Sequence, residues 1–331
     1  MTPNAAQVDA SAADIVCIMR VLVTGGLGHI GSALIRDPKI REIAGSIEIV
    51  DDLSSERYAS LYHLPSDRPV SFRRQSVQDL VESDLSDVDV VVHLAAQTDA
   101  TASLDQRDRV FSNNLGSTVH LASLAQATDT RLIFASTTSV YGSQSSRVDE
   151  DCNELLPQSP YAECKLQEEE VLRTLAERGL DVVILRLGTI AGPSPGMRFH
   201  TAVNKFCLQA RLGEPLTVWS TAWDQVRPYL DVHDSAEAIA WAVSADRGSH
   251  AGVARLYNVV TENLSVKDIV ARVQEAFGEV EVRFTDSRIM NQLSYEVCAD
   301  RIATAGFAPA GSVRDSIAQT AAWLDGISGH V

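Results

Sequence analysis

The stretch that decides the fold is RVLVTGGLGHIGSALIRDPKIREIAGSIEIVDD, residues 20–52. It opens with an apolar run, Arg20–Thr24, that leads into a glycine-rich turn and then into a helical segment, Ser32–Arg36. A second apolar run, Ser46–Val50, closes the stretch and ends in two aspartates, the first of them Asp51. Strand, glycine turn, helix, strand and acid in this order are typical of the first unit of a doubly wound α/β fold.

The glycine turn predicts a site for a dinucleotide. Gly25, Gly28 and Gly31 stand in GxxGxxG spacing: the first permits a tight turn, the second lets the backbone approach a pyrophosphate, and the third allows close helix–strand packing. The helix that follows offers unpaired N–H groups to phosphates. At the end of the second strand, the Asp51 carboxylate can accept hydrogen bonds from the adenosine ribose and would repel a 2′-phosphate. We therefore expect NAD rather than NADP.

Apolar runs and helical segments continue to alternate along the chain. The further predicted strands are Val70–Arg73, Val88–Leu94, Arg131–Ser136, Val182–Leu187 and Arg255–Val260, and the clearest predicted helices are Val110–Ala127, Tyr161–Arg178 and Ser235–Val243. Strands that are apolar throughout and separated by helices indicate a parallel sheet covered on both faces. The predicted fold class is α/β, a Rossmann-type doubly wound parallel sheet with a smaller C-terminal substrate-binding lobe.

The pattern also predicts how the chain is divided. Residues 1–18 are expected to be a disordered extension, and residues 19–188 an NAD-binding domain to which residues 229–260 return. Residues 189–228, which we expect to be irregular, and residues 261–331 are assigned to the substrate-binding lobe.

Composition excludes several classes of function. The 331 residues include 44 acids and 28 bases, a net charge of −16, so binding to nucleic-acid phosphates is not expected. Five scattered cysteines without a CxxC pair indicate neither a disulfide framework nor a zinc site and favour a cytoplasmic location. No apolar run is long enough to span a membrane. His29, His93 and His233 lack ligand spacing, so no metal is expected, and His93 is interpreted as a structural hydrogen-bonding residue.

A second motif predicts acid–base chemistry. In SPYAECK, residues 159–165, Tyr161 and Lys165 are four apart at the head of a predicted helix and therefore share one face. A free phenol titrates near pH 10, and a neighbouring ammonium favours the phenolate. The fifth predicted strand leads into STTSVYG, residues 136–142, where Thr137 can hydrogen-bond the reacting oxygen. We expect these groups to move a proton on or off a hydroxyl while a hydride passes to or from nicotinamide.

Together these motifs resemble the extended short-chain dehydrogenase/reductase family, and within it the NAD-dependent nucleotide-sugar epimerases. The resemblance runs from Met19 to Leu324, and its segments are TGGLGHIGS (24–32), VDDLSS (50–55), HLAAQ (93–97), STTSVYG, SPYAECK and RPYLDVHD (227–234). It implies a catalytic group of Thr137, Tyr161 and Lys165, and a homodimer.

The resemblance also assigns binding roles to individual positions. The implied cofactor contacts are Gly25, Gly28, His29, Ile30, Asp51, Asp52, Ser76, Val77, Leu94, Ala95, Ala96, Asn113, Tyr161 and Lys165. The implied contacts with a nucleotide-diphosphate sugar are Thr137, Asn204 and Arg227. Trp219 and Trp223 could line the sugar pocket or pack within the lobe, whereas the run Glu168–Glu170 is interpreted as a solvated helix face.

Thr138 and Ser139 distinguish between reactions within the family. Relatives that dehydrate or decarboxylate their sugars commonly have an acid at this pair, and this chain has none. The leading hypothesis is epimerisation, by oxidation of a sugar hydroxyl (at C4) to a ketone and reduction from the other face. The alternatives are a reductase, a dehydratase or a decarboxylase of the same family, or a protein that senses NAD without turnover.

Overall fold

The structure, a computed structural model, describes residues 19–98, 107–246, 252–286 and 294–327. The extension predicted for residues 1–18 lies outside these ranges. The strands are β1 (Met19–Thr24), β2 (Ala44–Asp51), β3 (Val70–Arg74), β4 (Val90–His93), β5 (Arg131–Thr137), β6 (Val182–Leu187), β7 (Thr189–Ala191), β8 (Leu216–Trp219), β9 (Val226–Asp231), β10 (Arg255–Val259), β11 (Glu262–Ser265) and β12 (Val282–Thr285). The α-helices are α1 (His29–Leu34), α2 (Pro38–Ile43), α3 (Glu82–Leu85), α4 (Arg107–Ala127), α5 (Pro160–Ala176), α6 (Ala202–Leu212), α7 (Val232–Ser244), α8 (Val266–Phe277), α9 (Asp300–Thr304) and α10 (Val313–Trp323).

The main sheet has seven parallel strands in the order β10-β6-β5-β4-β1-β2-β3. Val23 of β1 lies between Ile49 of β2 and Val92 of β4. The chain winds outward in one direction from β1 to β3 and in the other from β4 to β6. Such a reversal leaves a crevice at the carboxyl ends of β1 and β4, where ligands bind in folds of this kind.

Helices cover both faces of this sheet. On one face, Leu34 at the end of α1 and Ile239 of α7 belong to the same buried cluster as Val23. On the other face, Leu121 of α4 and Leu172 of α5 pack with the strands. Because both faces are covered, all four residues of β4 are buried, as expected for a parallel strand. The predicted α/β class and parallel sheet are confirmed, whereas the homodimer stays a prediction.

The residues that follow β6 form smaller sheets and a third buried cluster. Strands β11, β9 and β7 form one sheet, and β12 pairs with β8. Phe206 of α6, Ile269 of α8 and Ile317 of α10 are buried together. Residues 189–228 are therefore more regular than the sequence predicted, since they contain α6, β7, β8 and the first half of β9. Helix α7 and strand β10 rejoin the main sheet, whereas the last three residues of β9, which fall in the range 229–260 expected to return, belong to the sheet with β7 and β11.

A buried ion pair attaches α5 to the sheet. The Arg186 guanidinium on β6 donates to both carboxylate oxygens of Glu169, at 2.9 and 2.7 Å. The Ser136 hydroxyl on β5 donates to the same carboxylate at 2.6 Å. The prediction that Glu168–Glu170 forms a solvated face is wrong for its first two residues: Glu168 is 1% and Glu169 0% exposed. Each has a cation and a hydroxyl as partners, which offset the cost of burying its charge: Arg186 and Ser136 for Glu169, and Lys165 and Thr118 for Glu168.

Removing either partner of this pair should leave the other as an unpaired buried charge. We expect Arg186→Met and Glu169→Leu each to lower the free energy of unfolding by about 3–5 kcal/mol. The double variant should lose less than either single variant, because two apolar side chains leave no unpaired charge. Urea unfolding of the four proteins measures these energies. Losses that simply add in the double variant would show that the two side chains do not stabilise the fold as a pair.

Candidate active site

A cleft of about 470 Å³ opens at the carboxyl ends of the main sheet. Of the predicted site residues, those that line it are Gly25, Gly28, His29, Ile30, Asp51, Asp52, Ser76, Val77, Leu94, Ala95, Ala96, Asn113, Thr137, Tyr161, Lys165 and Arg227. Asn204 alone among the predicted positions does not. The fold thus brings together segments that lie far apart in the sequence.

The glycine turn forms the floor of the cleft at β1. Gly25 has a φ of +66°, and a Cβ atom there would lie 2.5 Å from the backbone nitrogen of Ala95. Only glycine allows this approach between the turn and the segment after β4. Gly28 precedes α1, and no side chain caps that helix. Backbone N–H groups are therefore available where a pyrophosphate would lie.

Asp51 is held rigidly at the end of β2. Its Oδ1 accepts a hydrogen bond from the Leu53 N–H at 2.9 Å, and its Oδ2 accepts one from the Leu27 N–H at 3.3 Å. Burial raises the pKa of Asp51, and these backbone hydrogen bonds oppose the shift. A fixed carboxylate with remaining lone pairs suits the hydroxyls of an adenosine ribose. Asp52 is exposed and accepts from the Ser54 N–H at 2.8 Å.

His29 joins the glycine turn to the loop after β7. Its Nε2 lies 2.8 Å from the carbonyl oxygen of Gly192, so this nitrogen carries the proton and donates. Burial lowers the pKa of His29 to about 4, and the ring is therefore neutral near pH 7. The Ser194 hydroxyl strengthens the junction by donating to the His29 carbonyl at 2.8 Å. His29 thus forms a wall of the cleft as well as a candidate cofactor contact.

A pair of asparagines on α4 shapes the next part of the wall. Asn113 lines the cleft and donates to Asn114 Oδ1 at 2.9 Å. Asn114, which the sequence did not single out, is fully buried. Its amide bonds both the N–H and the carbonyl of Gln97, at 2.8 and 3.0 Å. Asn114 therefore fixes the backbone of the HLAAQ segment against the cleft.

The three predicted catalytic residues come from β5 and α5. Thr137 ends β5 and its hydroxyl donates to Ser139 Oγ at 3.2 Å. Ser159 caps α5 by accepting from the Ala162 N–H, and Tyr161 lies in the first turn after this cap. The Lys165 ammonium, one turn further on, is 3% exposed and lies 4.3 Å from the centre of the Phe134 ring.

The electrostatics of Tyr161 differ from the sequence expectation. Burial raises the pKa of Tyr161, the negative charge of Glu168 raises it further, and Arg198 opposes both. The sequence predicted that Lys165 would lower this pKa. In the structure the Lys165 Nζ lies 3.3 Å from Glu168 Oε2, and this ion pair offsets the effect of the ammonium on the phenol.

Basic side chains also line the cleft. They are Arg227 on β9, which the resemblance implied, and Arg198, His200 and Lys205. Lys205 Nζ donates to the Thr217 carbonyl at 3.1 Å, and burial lowers its pKa. The sequence did not single out these three residues, since their spacing forms no motif.

Asn204 lies outside the cleft for a clear reason. Its side chain is fully buried, where Oδ1 accepts from the Gly192 N–H at 3.2 Å and Nδ2 donates to the Arg198 carbonyl at 3.0 Å. It supports the loop that holds Arg198. In the described part of the chain it therefore has a positioning role and does not face a ligand.

Carboxylates are confined to one end of the cleft. Among the described lining residues, Asp51 and Asp52 are the only acids, and both lie at the glycine-turn end. Thr138 is buried and bonds the Leu187 carbonyl and the Tyr295 hydroxyl, at 3.4 and 3.3 Å. No described acid therefore lines the cleft beside Thr137 and Tyr161.

The two tryptophans and His93 have different surroundings. Trp219 lines the cleft, whereas Trp223 packs edge-on against Phe284 with ring centres 5.3 Å apart. His93 is buried, bonds Thr24 Oγ1 at 2.7 Å and Thr118 Oγ1 at 3.1 Å, and is structural as predicted.

Over the described ranges, no group of three metal-ligating side chains converges, and no helix is long and apolar enough to cross a membrane.

Comparisons with known proteins agree with this site. A family model described as the NAD dependent epimerase/dehydratase family matches residues 21–259. The chain is 30% identical over 323 residues to a UDP-glucose 4-epimerase of Azospirillum brasilense, covering 91% of this chain and 90% of that protein. It is 28% identical over 319 residues to a dTDP-glucose 4,6-dehydratase of Streptomyces niveus, covering 92% of each.

A solved structure also matches this fold. The UDP-glucose 4-epimerase of Thermus thermophilus, in complex with NAD, aligns with a TM-score of 0.80 at 27% identity, over 93% of this chain and 99% of that one. The family model covers well over half of the sequence, and the glycine turn and Asp51 fit the cofactor that the family name specifies. The chain belongs to the NAD-dependent epimerase/dehydratase family of the extended short-chain dehydrogenases/reductases, and its cofactor is NAD.

Proposed function

We propose that this enzyme is an isomerase that inverts C4 of a nucleotide-diphosphate sugar by transient oxidation to a ketone. The observation that carries the proposal is the composition of the cleft around Thr137 and Tyr161. Hydroxyl and ammonium groups suited to moving one proton are present there, and no described carboxylate lines the cleft beside them.

The side chains of the cleft divide the work of such a reaction. Bound NAD supplies reversible acceptance of a hydride. Tyr161, once deprotonated, accepts the proton of the sugar hydroxyl and later returns it. The Thr137 hydroxyl donates a hydrogen bond to the same oxygen, and Lys165 favours the phenolate and can hold the nicotinamide ribose. The same residues serve both directions, as an epimerisation requires.

Dehydration and decarboxylation need groups that the described site lacks. Elimination of water from a keto-sugar requires an acid to protonate the leaving hydroxyl and a base to remove a carbon-bound proton. Thr138 and Ser139 offer only hydroxyls at the place where an acid would be expected, and Thr138 is occupied by buried hydrogen bonds. A reductase would release its cofactor at every turnover and often use NADP, which Asp51 disfavours.

The basic side chains that line the cleft favour a nucleotide diphosphate as the anchoring group of the substrate. The guanidinium of Arg227 can bridge two phosphoryl oxygens, and Lys205 and Arg198 add positive charge to the lining of the same cleft. Inversion requires the ketone to present its second face to the cofactor. A tightly held diphosphate allows the sugar to turn without leaving, so that binding energy at a remote group supports the chemistry.

Cofactor selectivity should depend on Asp51. We expect the wild-type protein to bind NAD much more tightly than NADP, and Asp51→Asn to narrow the ratio of the two dissociation constants by about tenfold or more. The variant loses the charge-assisted hydrogen bond to the ribose, worth about 1.5–3 kcal/mol, and also the repulsion of a 2′-phosphate. Calorimetric titration measures both affinities. Glu56→Gln, which removes an exposed charge outside the cleft, is the control, and an equal narrowing of the ratio in that variant would contradict the role of Asp51.

Turnover should depend on the phenol of Tyr161. With a panel of UDP- and dTDP-sugars followed by NMR, we expect the wild-type enzyme to form the C4 epimer of one or more of them. Tyr161→Phe should slow this reaction by about 10²-fold or more, the usual effect of a positioned acid–base group, with little change in NAD affinity.

Tyr141→Phe provides a matched control for the loss of a hydroxyl. The Tyr141 phenol is buried, donates to Asn258 Oδ1 at 2.8 Å and lies outside the cleft. Its removal should lower stability and leave turnover nearly unchanged.

Steady formation of a 4-keto-6-deoxy sugar by the wild-type enzyme, or of carbon dioxide from a nucleotide glucuronate, would contradict the proposed epimerisation.

A further inference from the structure

A second buried carboxylate, Glu168, lies next to Lys165 and outside the cleft. It is 1% exposed, and its Oε2 is 3.3 Å from the Lys165 Nζ. This oxygen has no hydrogen-bond donor in the structure, so the ion pair with Lys165 is its polar contact. Tyr161, Lys165 and Glu168 are spaced by four and three residues and therefore occupy one face of α5.

The other oxygen of Glu168 ends a chain of buried hydrogen bonds. The Thr118 hydroxyl donates to Glu168 Oε1, so Thr118 Oγ1 must accept from His93 Nε2 at 3.1 Å. The neutral imidazole then accepts at Nδ1 from the Thr24 hydroxyl at 2.7 Å. Burial lowers the pKa of His93 to about 3, which keeps the ring neutral.

The two oxygens of Glu168 have different surroundings. Each donor points toward the carboxylate, which therefore acts as an acceptor at Oε1 and faces an ammonium at Oε2. The buried face of α5 thus places a carboxylate against the Lys165 ammonium, one turn further along the helix.

We propose that Glu168 is a positioning residue for Lys165. Its negative charge keeps the pH at which Tyr161 loses its proton higher than it would be with Lys165 alone. The proposal rests on the proposed function, since it takes Tyr161 as the group that transfers the proton. A merely structural Glu168 would affect stability and leave the pH dependence of turnover unchanged.

The groups that face this site support the expected sign. Burial raises the pKa of Tyr161 and Glu168 raises it further, while Arg198, after β7, lowers it. Cys164, on α5 itself, raises it slightly as the last of these influences. From α4, Glu168 meets Thr118, and behind Thr118 lies His93 of β4; both of these side chains are uncharged. Without the carboxylate, the Lys165 ammonium would act on the phenol with no opposing charge.

The pH dependence of kcat/KM tests this role. In Glu168→Gln the low-pH limb, where activity rises as Tyr161 loses its proton, should move about one pH unit lower than in the wild type. Glu170→Gln is the matched control, because it removes the same charge from an exposed position on the same helix. Its profile should coincide with the wild-type profile. A limb that stays in place or moves to higher pH in Glu168→Gln would overturn the proposal.

Two further measurements keep the test decisive. Glu168→Met, which needs no hydrogen bonds, replaces Glu168→Gln if that variant does not fold, and the same shift is expected. The ultraviolet difference titration against the matching Tyr161→Phe variant should place ionisation of the phenol about one pH unit lower in Glu168→Gln than in the wild type. Ionisation at the same pH in both proteins would overturn the proposal.

The outcomes separate this inference from the proposed function. Normal turnover in Tyr161→Phe would reject the proposed function itself. Loss of turnover in Tyr161→Phe, together with an unmoved limb in Glu168→Gln, would reject only the role of Glu168.

Discussion

The buried ion pair between Glu169 and Arg186 is the contact on which the arrangement of the site depends. It joins α5 to β6, and the Ser136 hydroxyl ties the same carboxylate to β5. Thr137 follows Ser136 directly, and Tyr161 and Lys165 lie on α5, eight and four residues before Glu169. One carboxylate therefore sets the distance between the strand that provides the threonine and the helix that provides the tyrosine and lysine.

Adjacent acids on α5 have separate roles because successive helix residues point about 100° apart. Glu169 faces the sheet and meets a guanidinium, whereas Glu168 faces α4 and β4 and meets Lys165. The first pair fixes the backbone of the helix, and the second fixes a side chain of the active site. A buried acid is costly unless it is paired, and here each has its own cation.

Local sequence predicted the parts of the structure that are determined locally. The glycine turn, Asp51 and the apolar strands fixed the parallel sheet and the cofactor end of the cleft, with strand ends within about two residues. The Glu168–Glu170 run was misinterpreted because its partners are distant: Arg186 is 17 residues from Glu169, and Thr118 is 50 residues from Glu168. Asn204 and α6 show the same limit, since a side chain that bonds loop backbone has no signature in its own segment.

Retention of the hydrogen at the reacting carbon tests the central claim most directly. The nucleotide sugar that the enzyme converts fastest would be labelled with deuterium at C4, and the product would be analysed by NMR. Oxidation and re-reduction at one carbon predict an epimer that keeps its deuterium at C4. Deuterium found at C6, as elimination of water and return of the hydride to that carbon would give, or lost from the product altogether, would contradict the account.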